Sequence, residues 1–352
     1  MNPNWIIVDL DQRVYLDIAC AHDTSPLQKA EIPLGALRVP CTDELLNGML
    51  QGHVLSQRQA PLFRLPPELL HDILDMVNPR DGYVAVVFIF ALVCKLALAV
   101  ARPHIVRLQQ RHFSPLAGHR LINVVHTAST LSGTYPERTS MDNEMRTLFV
   151  SDSIGTESGE AAGASLYGLA KSWRRYVHDP RSLTAATDLL YRPSAVSRMS
   201  MDDFRRFRAL STPHYPECTP WVLCNLSKRE YIRADAAAPR SFGNNDQCTQ
   251  RMGVAKWEHQ LAHLLLTCIC WPPISGTAFG RRGTELEDAQ KVDFGRGLWA
   301  GDRIEMTTVE RICAQSEGGE PWTDVTADVL RAHCMKSELS KDLALYAPFG
   351  TL

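Results

Sequence analysis

Neither sign of charge dominates this chain: 37 Lys and Arg stand against 39 Asp and Glu, a formal charge of −2 over 352 residues. Without a basic field there is no global attraction to nucleic acid or to an anionic membrane. Local runs such as "SWRRYVH" and "FRRFR" read as solvated helix faces. The ten cysteines follow no repeated pairing pattern, and "MNPNWIIVD" lacks a charged leader followed by a long apolar stretch. Both absences point to a reducing compartment, cytoplasm or nucleus. No phosphate-cradling G-x-x-x-x-G-K-[ST] or G-x-G-x-x-G motif occurs, and no G-x-S-x-G elbow, so no nucleotide site or serine nucleophile is supported. No catalytic residue and no cofactor is expected.

Long apolar runs are also scarce, with one exception. Tyr83 to Ala101, "YVAVVFIFALVCKLALAVA", is 19 residues with Lys95 as its one charge. That is long enough to cross a bilayer. Lys95 interrupts it, however, and the amphipathic segment before it needs an apolar surface to pack on. A buried helix ending near Cys94, followed by a second helix, is the favoured reading, and no membrane partner is expected.

That preceding segment, "LPPELLHDILDMV", starts with the Pro-Pro-Glu expected of a helix N-terminus, where a missing N–H costs nothing and a carboxylate meets the positive end of the dipole. Leu69, Leu70, Ile73, Leu74 and Val77 then fall in one apolar stripe, with His71, Asp72 and Asp75 off it. Such a stripe serves either as internal core or as a docking surface.

The chain also echoes itself. "WIIVDLDQRVYLD" from Trp5 recurs as "WVLCNLSKREYIR" from Trp221, with Trp5/Trp221, Leu10/Leu226, Arg13/Arg229 and Tyr15/Tyr231 identical. Two short apolar runs around an Asp-Gln or Ser-Lys turn suit a strand, turn, strand unit. Further on, "PLAGHRLINVV" matches "LWAGDRIEMTT", sharing Ala117/Ala300, Gly118/Gly301 and Arg120/Arg303. The order is kept, so the chain reads as two copies of one module, the first longer by about 33 positions. "LPPELLHDIL" and its apolar follower lie within that excess.

The expected fold class is therefore α+β: a helical insertion plus two copies of a mainly β module. The expected organisation is module one in 1–60 and 108–150, the insertion at 61–107, a linker and helices at 151–215, and module two at 216–352. "GTESGEAAGAS" reads as linker, and Ser200 as the N-cap of "MDDFRRFRAL".

With these residues in view, the insertion resembles an F-box, the helical motif that binds the Skp adaptor of cullin-based ubiquitin ligases. "LPPELLHDIL" resembles the family's opening Leu-Pro-x-Glu-Leu helix and "ALVCKLALA" its later Leu-x-x-Val-Cys-Lys helix, with Ala97 where many F-boxes carry an aromatic. The flanks, "WxxxNLxKREY", "CICWPPIS" and "WAGDRIE", resemble an uncharacterised module common in fungal F-box proteins. The resemblance implies that Leu65, Pro66, Leu69, Ile73, Leu74, Leu92, Val93 and Cys94 face the adaptor. It also implies that the cullin scaffold and an unknown protein substrate are partners, and that the chain is a non-catalytic substrate receptor of an SCF-type ligase. A scaffold or ligand-binding protein with a structural insertion is the alternative reading, and an enzyme with a site between the modules is a third.

Two further sets of residues call for placement. In "HQLAHLLLTCIC", His259, His263, Cys268 and Cys270 could suit zinc, but Cys-x-Cys in a buried strand more simply reads as core, so no metal is expected. Trp5, Trp221 and Trp299 read as core anchors of the modules. Arg13, Arg120, Arg229 and Arg303 are candidates for acidic neighbours or for a substrate.

Overall fold

The structure is a computed structural model that describes residues 4–17, 34–52, 60–76, 84–126, 166–176, 200–216, 220–237, 258, 261–271, 297–316 and 319–332. It is α+β and divides into two compact units. One comprises Met1–Leu37, Leu116–Val177 and Pro220–Leu352, the other Arg38–Pro115 and His178–Thr219.

The first unit is built on a mixed sheet. Its strands are β1 (Asn4–Asp9), β2 (Val14–Asp17), β3 (His119–His126), β4 (Arg174–Arg175), β5 (Trp221–Asn225), β6 (Glu230–Arg233), β7 (Cys270–Trp271), β8 (Arg303–Thr308) and β9 (Thr323–Asp324). Their order across the sheet is β4-β2-β1-β3-β8-β5-β6-β9, with β7 paired to β3 off this path. Outward from the central β3–β8 contact the same sequence of roles occurs on each side. An antiparallel hairpin comes next (β1–β2 or β5–β6), then a short parallel edge strand (β4 or β9).

Both hairpins turn the same way, for a local reason. The Asp9 carboxylate accepts from the N–H groups of Asp11 at 2.9 Å and Gln12 at 3.0 Å. The Asn225 side-chain oxygen accepts from Ser227 at 3.0 Å and Lys228 at 3.1 Å. These short Asx side chains replace backbone partners at the bend. Each loop closes on an arginine in the left-handed region, Arg13 at φ 53° and Arg229 at φ 54°, the two non-glycine residues of positive φ among those described. Gly118 and Gly301, at φ 77° and 84°, take the same region ahead of β3 and β8.

Strands β1 and β5 are apolar on successive residues, not only on alternate ones. Ile6, Ile7 and Val8 are all buried, as are Trp221 through Asn225, so both faces of the sheet centre are covered. Ile6, Val8, Tyr15, Ile122, Val124 and Trp271 form one core cluster, and Val222, Cys224 and Ile312 with Trp322 another. Each fully buried isoleucine or valine contributes about 1.5–3 kcal/mol.

The second unit is helical: α1 (Thr42–Leu50), a 3-10 turn (Pro61–Arg64), α2 (Pro67–Met76), α3 (Val84–Val93), α4 (Lys95–Phe113) and α5 (Met201–Ser211). Helices α3 and α4 split at Cys94, whose backbone is extended (φ −166°, ψ 169°) and whose Sγ accepts from the Ala97 N–H at 3.4 Å. The long apolar run is thus two helices. Among the described residues no helix is long and apolar enough to cross a membrane. Ser200 caps α5, accepting from the Asp203 N–H at 3.1 Å.

Three sequence expectations come out differently in the structure. Helix α5, expected in a segment of its own, completes the helical core through Phe207 and Leu210. "SWRRYVH" is not a helix face at its arginines, because Arg174 and Arg175 form edge strand β4. Cys268 ends a helical stretch at 261–268, and only Cys270 reaches a strand. Ala97, where an aromatic is common, is wholly buried in the helical core, so a ring there would overpack it. "GTESGEAAGAS" and Val77 lie outside the described residues.

Candidate functional site

Helix α2 starts as its prolines imply, with the N–H groups of Leu69 and Leu70 donating to the Pro66 carbonyl at 3.1 and 3.3 Å. Its apolar stripe then divides. Leu70 and Leu74 turn into the core, at 2% and 6% exposure, while Leu69 and Ile73 stay 47% and 43% exposed. Met76 continues the exposed side at 79%. In α3, Val87, Phe88 and Ala91 are buried, whereas Val86, Ile89 and Val93 remain open at i, i+3 and i+7.

Ten large hydrophobic residues are exposed among those described, and eight of them (Leu62, Leu65, Leu69, Ile73, Met76, Val86, Ile89 and Val93) fall within positions 62–93. Scattered single exposures are ordinary; this concentration on two helices and the turn before them is what an interaction surface leaves bare. Of the residues expected to face a partner, Leu65, Pro66, Leu69, Ile73 and Val93 are exposed. Leu92 and Cys94 are half-buried against the helical core, and Leu74 belongs to that core.

Polar contacts anchor α2 and α1 onto α4. His104, buried on α4, holds Asp75 through Nδ1 at 3.3 Å and meets His71 Nδ1 through Nε2 at 3.0 Å, the two rings stacked 5.3 Å apart. Burial pushes the His104 imidazole below its ordinary value; Asp75 opposes that shift, and the charges of His71 and Arg107 add to it. Arg102 reaches Asp43 of α1 through Nε at 3.1 Å and Nη2 at 3.0 Å.

Two of the candidate arginines meet at the sheet centre. Arg120 and Arg303 lie directly opposite each other across β3 and β8. Both hold Asp11: Arg120 by Nε at 2.7 Å and by its backbone N–H at 3.2 Å, Arg303 by Nη1 at 2.9 Å. Burial pushes the Asp11 carboxyl up, but Arg120's hydrogen bonds and the charges of Arg120 and Arg303 outweigh it and hold it below the usual carboxylate range. Where the first hairpin has Asp11 the second has Ser227, whose Oγ accepts from the Arg303 N–H at 3.0 Å.

The neighbouring positions change together as well. Asp9, fully buried, accepts from His119 Nδ1 at 2.6 Å. At the matching place Asn225 donates through Nδ2 to Asp302 at 2.8 Å, and Lys228 Nζ meets the same carboxylate at 2.9 Å. The acid has moved from the hairpin to the strand start, and its donors have moved to the hairpin. This compensating exchange was legible by aligning the two echoes, although pairing the positions required the fold.

Among the remaining candidates, Trp299 and Arg229 have structural partners. Trp221 and Trp299 are buried, and Trp299 donates through Nε1 to Glu230 at 2.7 Å. Arg229 donates to the Glu320 carbonyl at 2.6 Å. Arg13 is exposed on its turn, and Trp5 lies on β1 opposite Val125. His263 and Cys270 are half-buried and Cys268 is buried, while His259 lies outside the described residues. Among the described residues no group of three His, Cys, Asp or Glu side chains is placed to hold a metal ion.

Comparison with known proteins adds one family: residues 62–105 match the F-box domain. That span covers the 3-10 turn, α2, α3 and the first half of α4, and it holds all eight exposed residues of the 62–93 cluster. No curated protein and no solved structure matches the chain.

Proposed function

We propose that this F-box-containing chain is the substrate-receptor subunit of an SCF-type ubiquitin ligase. The exposed side of α2 and α3, with Leu65 and Pro66 ahead of it, docks the Skp adaptor and through it the cullin scaffold. The sheet unit, read as two copies of one module, binds the protein to be ubiquitinated. The clustering of eight exposed apolar side chains in 62–93, inside the F-box match, carries this reading. Helices that leave Leu and Ile open at i, i+4 on α2 and Val, Ile and Val open at i, i+3, i+7 on α3 present the kind of surface that helix-on-helix recognition uses. The chain itself then needs no catalytic group. Holding a substrate beside the conjugating enzyme raises the effective concentration of its lysines, and the reaction is carried out by the partner. The setting of this role is the cytoplasm or nucleus.

The test is direct binding of the purified chain to the Skp adaptor, beside a Leu69→Asp, Ile73→Asp, Val93→Asp variant whose fold is checked by circular dichroism. All three side chains are exposed, so the fold should survive while three buried carboxylates at the interface abolish binding. Wild-type binding lost in the variant supports the reading. A well-folded wild type that ignores the adaptor retires it in favour of a scaffold whose helices are only structural.

A further inference from the structure

Helix α5 begins at Met201, almost a hundred positions beyond the end of the F-box match, yet it is built into the same core. Phe207 meets the fully buried Phe88 of α3 edge-on, ring centres 6.1 Å apart at 85°, and Leu210 is fully buried beside them. Gln109 of α4, 1% exposed, donates through Nε2 to the carbonyls of Leu210 at 2.6 Å and Thr212 at 3.4 Å, while accepting from Thr42 of α1. The chain after α5 is held too. The Cys41 N–H donates to the His214 carbonyl at 2.9 Å, and the Arg38 guanidinium sits 4.8 Å over the Tyr215 ring.

The reason such a clamp is needed lies in α3. Its sequence, VAVVFIFALV, is apolar on every side, so the helix has no polar face of its own to mark where core ends and surface begins. Neighbours must draw that border. Among the side chains of α3 that are described, Val86, Ile89 and Val93 are the exposed ones, and Phe207 packs on the Phe88 side, next to Ile89 in the chain.

We propose that α5 is a positioning element for the docking face: it covers the Phe88 side of α3 and holds the open Val86, Ile89, Val93 side in register, without contacting the adaptor itself. The docking element of this protein is then non-contiguous, and events in the segment that carries α5 reach the adaptor contact through Phe207. This inference rests on the adaptor-docking reading, and its test separates the two.

Amide hydrogen exchange and adaptor affinity are measured together on the full chain, comparing wild type, Phe207→Ala, the milder Gln109→Ala and the conservative Phe207→Leu. Phe207→Ala should raise exchange across 84–93 and weaken adaptor binding about tenfold or more, which is ~1.4 kcal/mol. Exchange in the sheet unit should stay unchanged. Gln109→Ala should move both readouts in the same direction by less, and Phe207→Leu should recover them. Wild-type affinity and unaltered exchange over 84–93 in Phe207→Ala would overturn the role of α5 while leaving docking intact. A wild-type chain with no adaptor affinity would instead overturn the docking reading, and exchange over 84–93 would still report whether α5 holds α3.

Discussion

Replacing Asp11 by Asn removes one charge while keeping the shape of the turn, and it leaves Arg120 and Arg303 facing each other with no carboxylate between them. The cost can be built up from the contacts. Two ion pairs are lost from a carboxylate only 21% exposed, but Arg303 is itself 49% exposed, so each is nearer the upper end of a surface pair than a buried one, about 0.5–1 kcal/mol. The newly uncompensated like charges on directly opposed residues add about 0.2–1 kcal/mol. The expected loss is about 2 kcal/mol, read as a lower denaturant midpoint at unchanged slope. Added salt should narrow the gap, since the freed repulsion is partly exposed. A second substitution sharpens the test. Ser227 stands at the matching place of the other hairpin and already accepts from the Arg303 N–H. Ser227→Asp in the Asp11→Asn background should therefore return about 1 kcal/mol by providing Arg303 with a carboxylate of its own. If Asp11→Asn unfolds at the wild-type midpoint, the shared carboxylate does not hold the two halves of the sheet, and the correspondence of Asp11 and Ser227 has no energetic content.

Two titrations make further checks. Glu305 is buried on β8 opposite Cys224; burial pushes its carboxyl above the ordinary value near 4.5, and the Arg311 charge offsets this only in part. The folded chain thus holds this proton more tightly than the unfolded chain, so wild-type stability falls as pH rises from about 4.5 through the raised value. Glu305→Gln should match wild type below that window and be the more stable above it, by chemical denaturation at several pH values; equal stability at neutral pH would contradict the assignment. His119 shifts upward because its Nδ1 donates to Asp9, with the Asp9 and Asp11 charges adding and burial opposing. Its stabilising contribution is complete below pH 6.5 and is lost as pH rises through the raised value. The stability difference between wild type and His119→Gln should therefore be largest in mild acid and shrink with rising pH. A difference independent of pH would mean that the imidazole acts there only by shape.

The chain's local order was legible from residue types alone. The Pro-Pro-Glu start of α2, the break at Cys94, the serine cap of α5 and the two Asx turns each depend on groups within four positions of one another, and such signals act before any tertiary contact exists. The division of the α2 stripe was not legible: Leu69 and Leu70 are chemically identical neighbours, and only the placement of α4 decides that one is bare and the other buried. Asp11 likewise read as an ordinary turn residue until β3 and β8 brought Arg120 and Arg303 to it from 109 and 292 positions away. The helices of the F-box match and the two hairpins could be placed from residue types, because hydrogen bonding and apolar periodicity along a short stretch suffice for them. Which apolar face stays open, and which helix closes the core around α3, depended on long-range packing, because burial is a property of what other segments arrive.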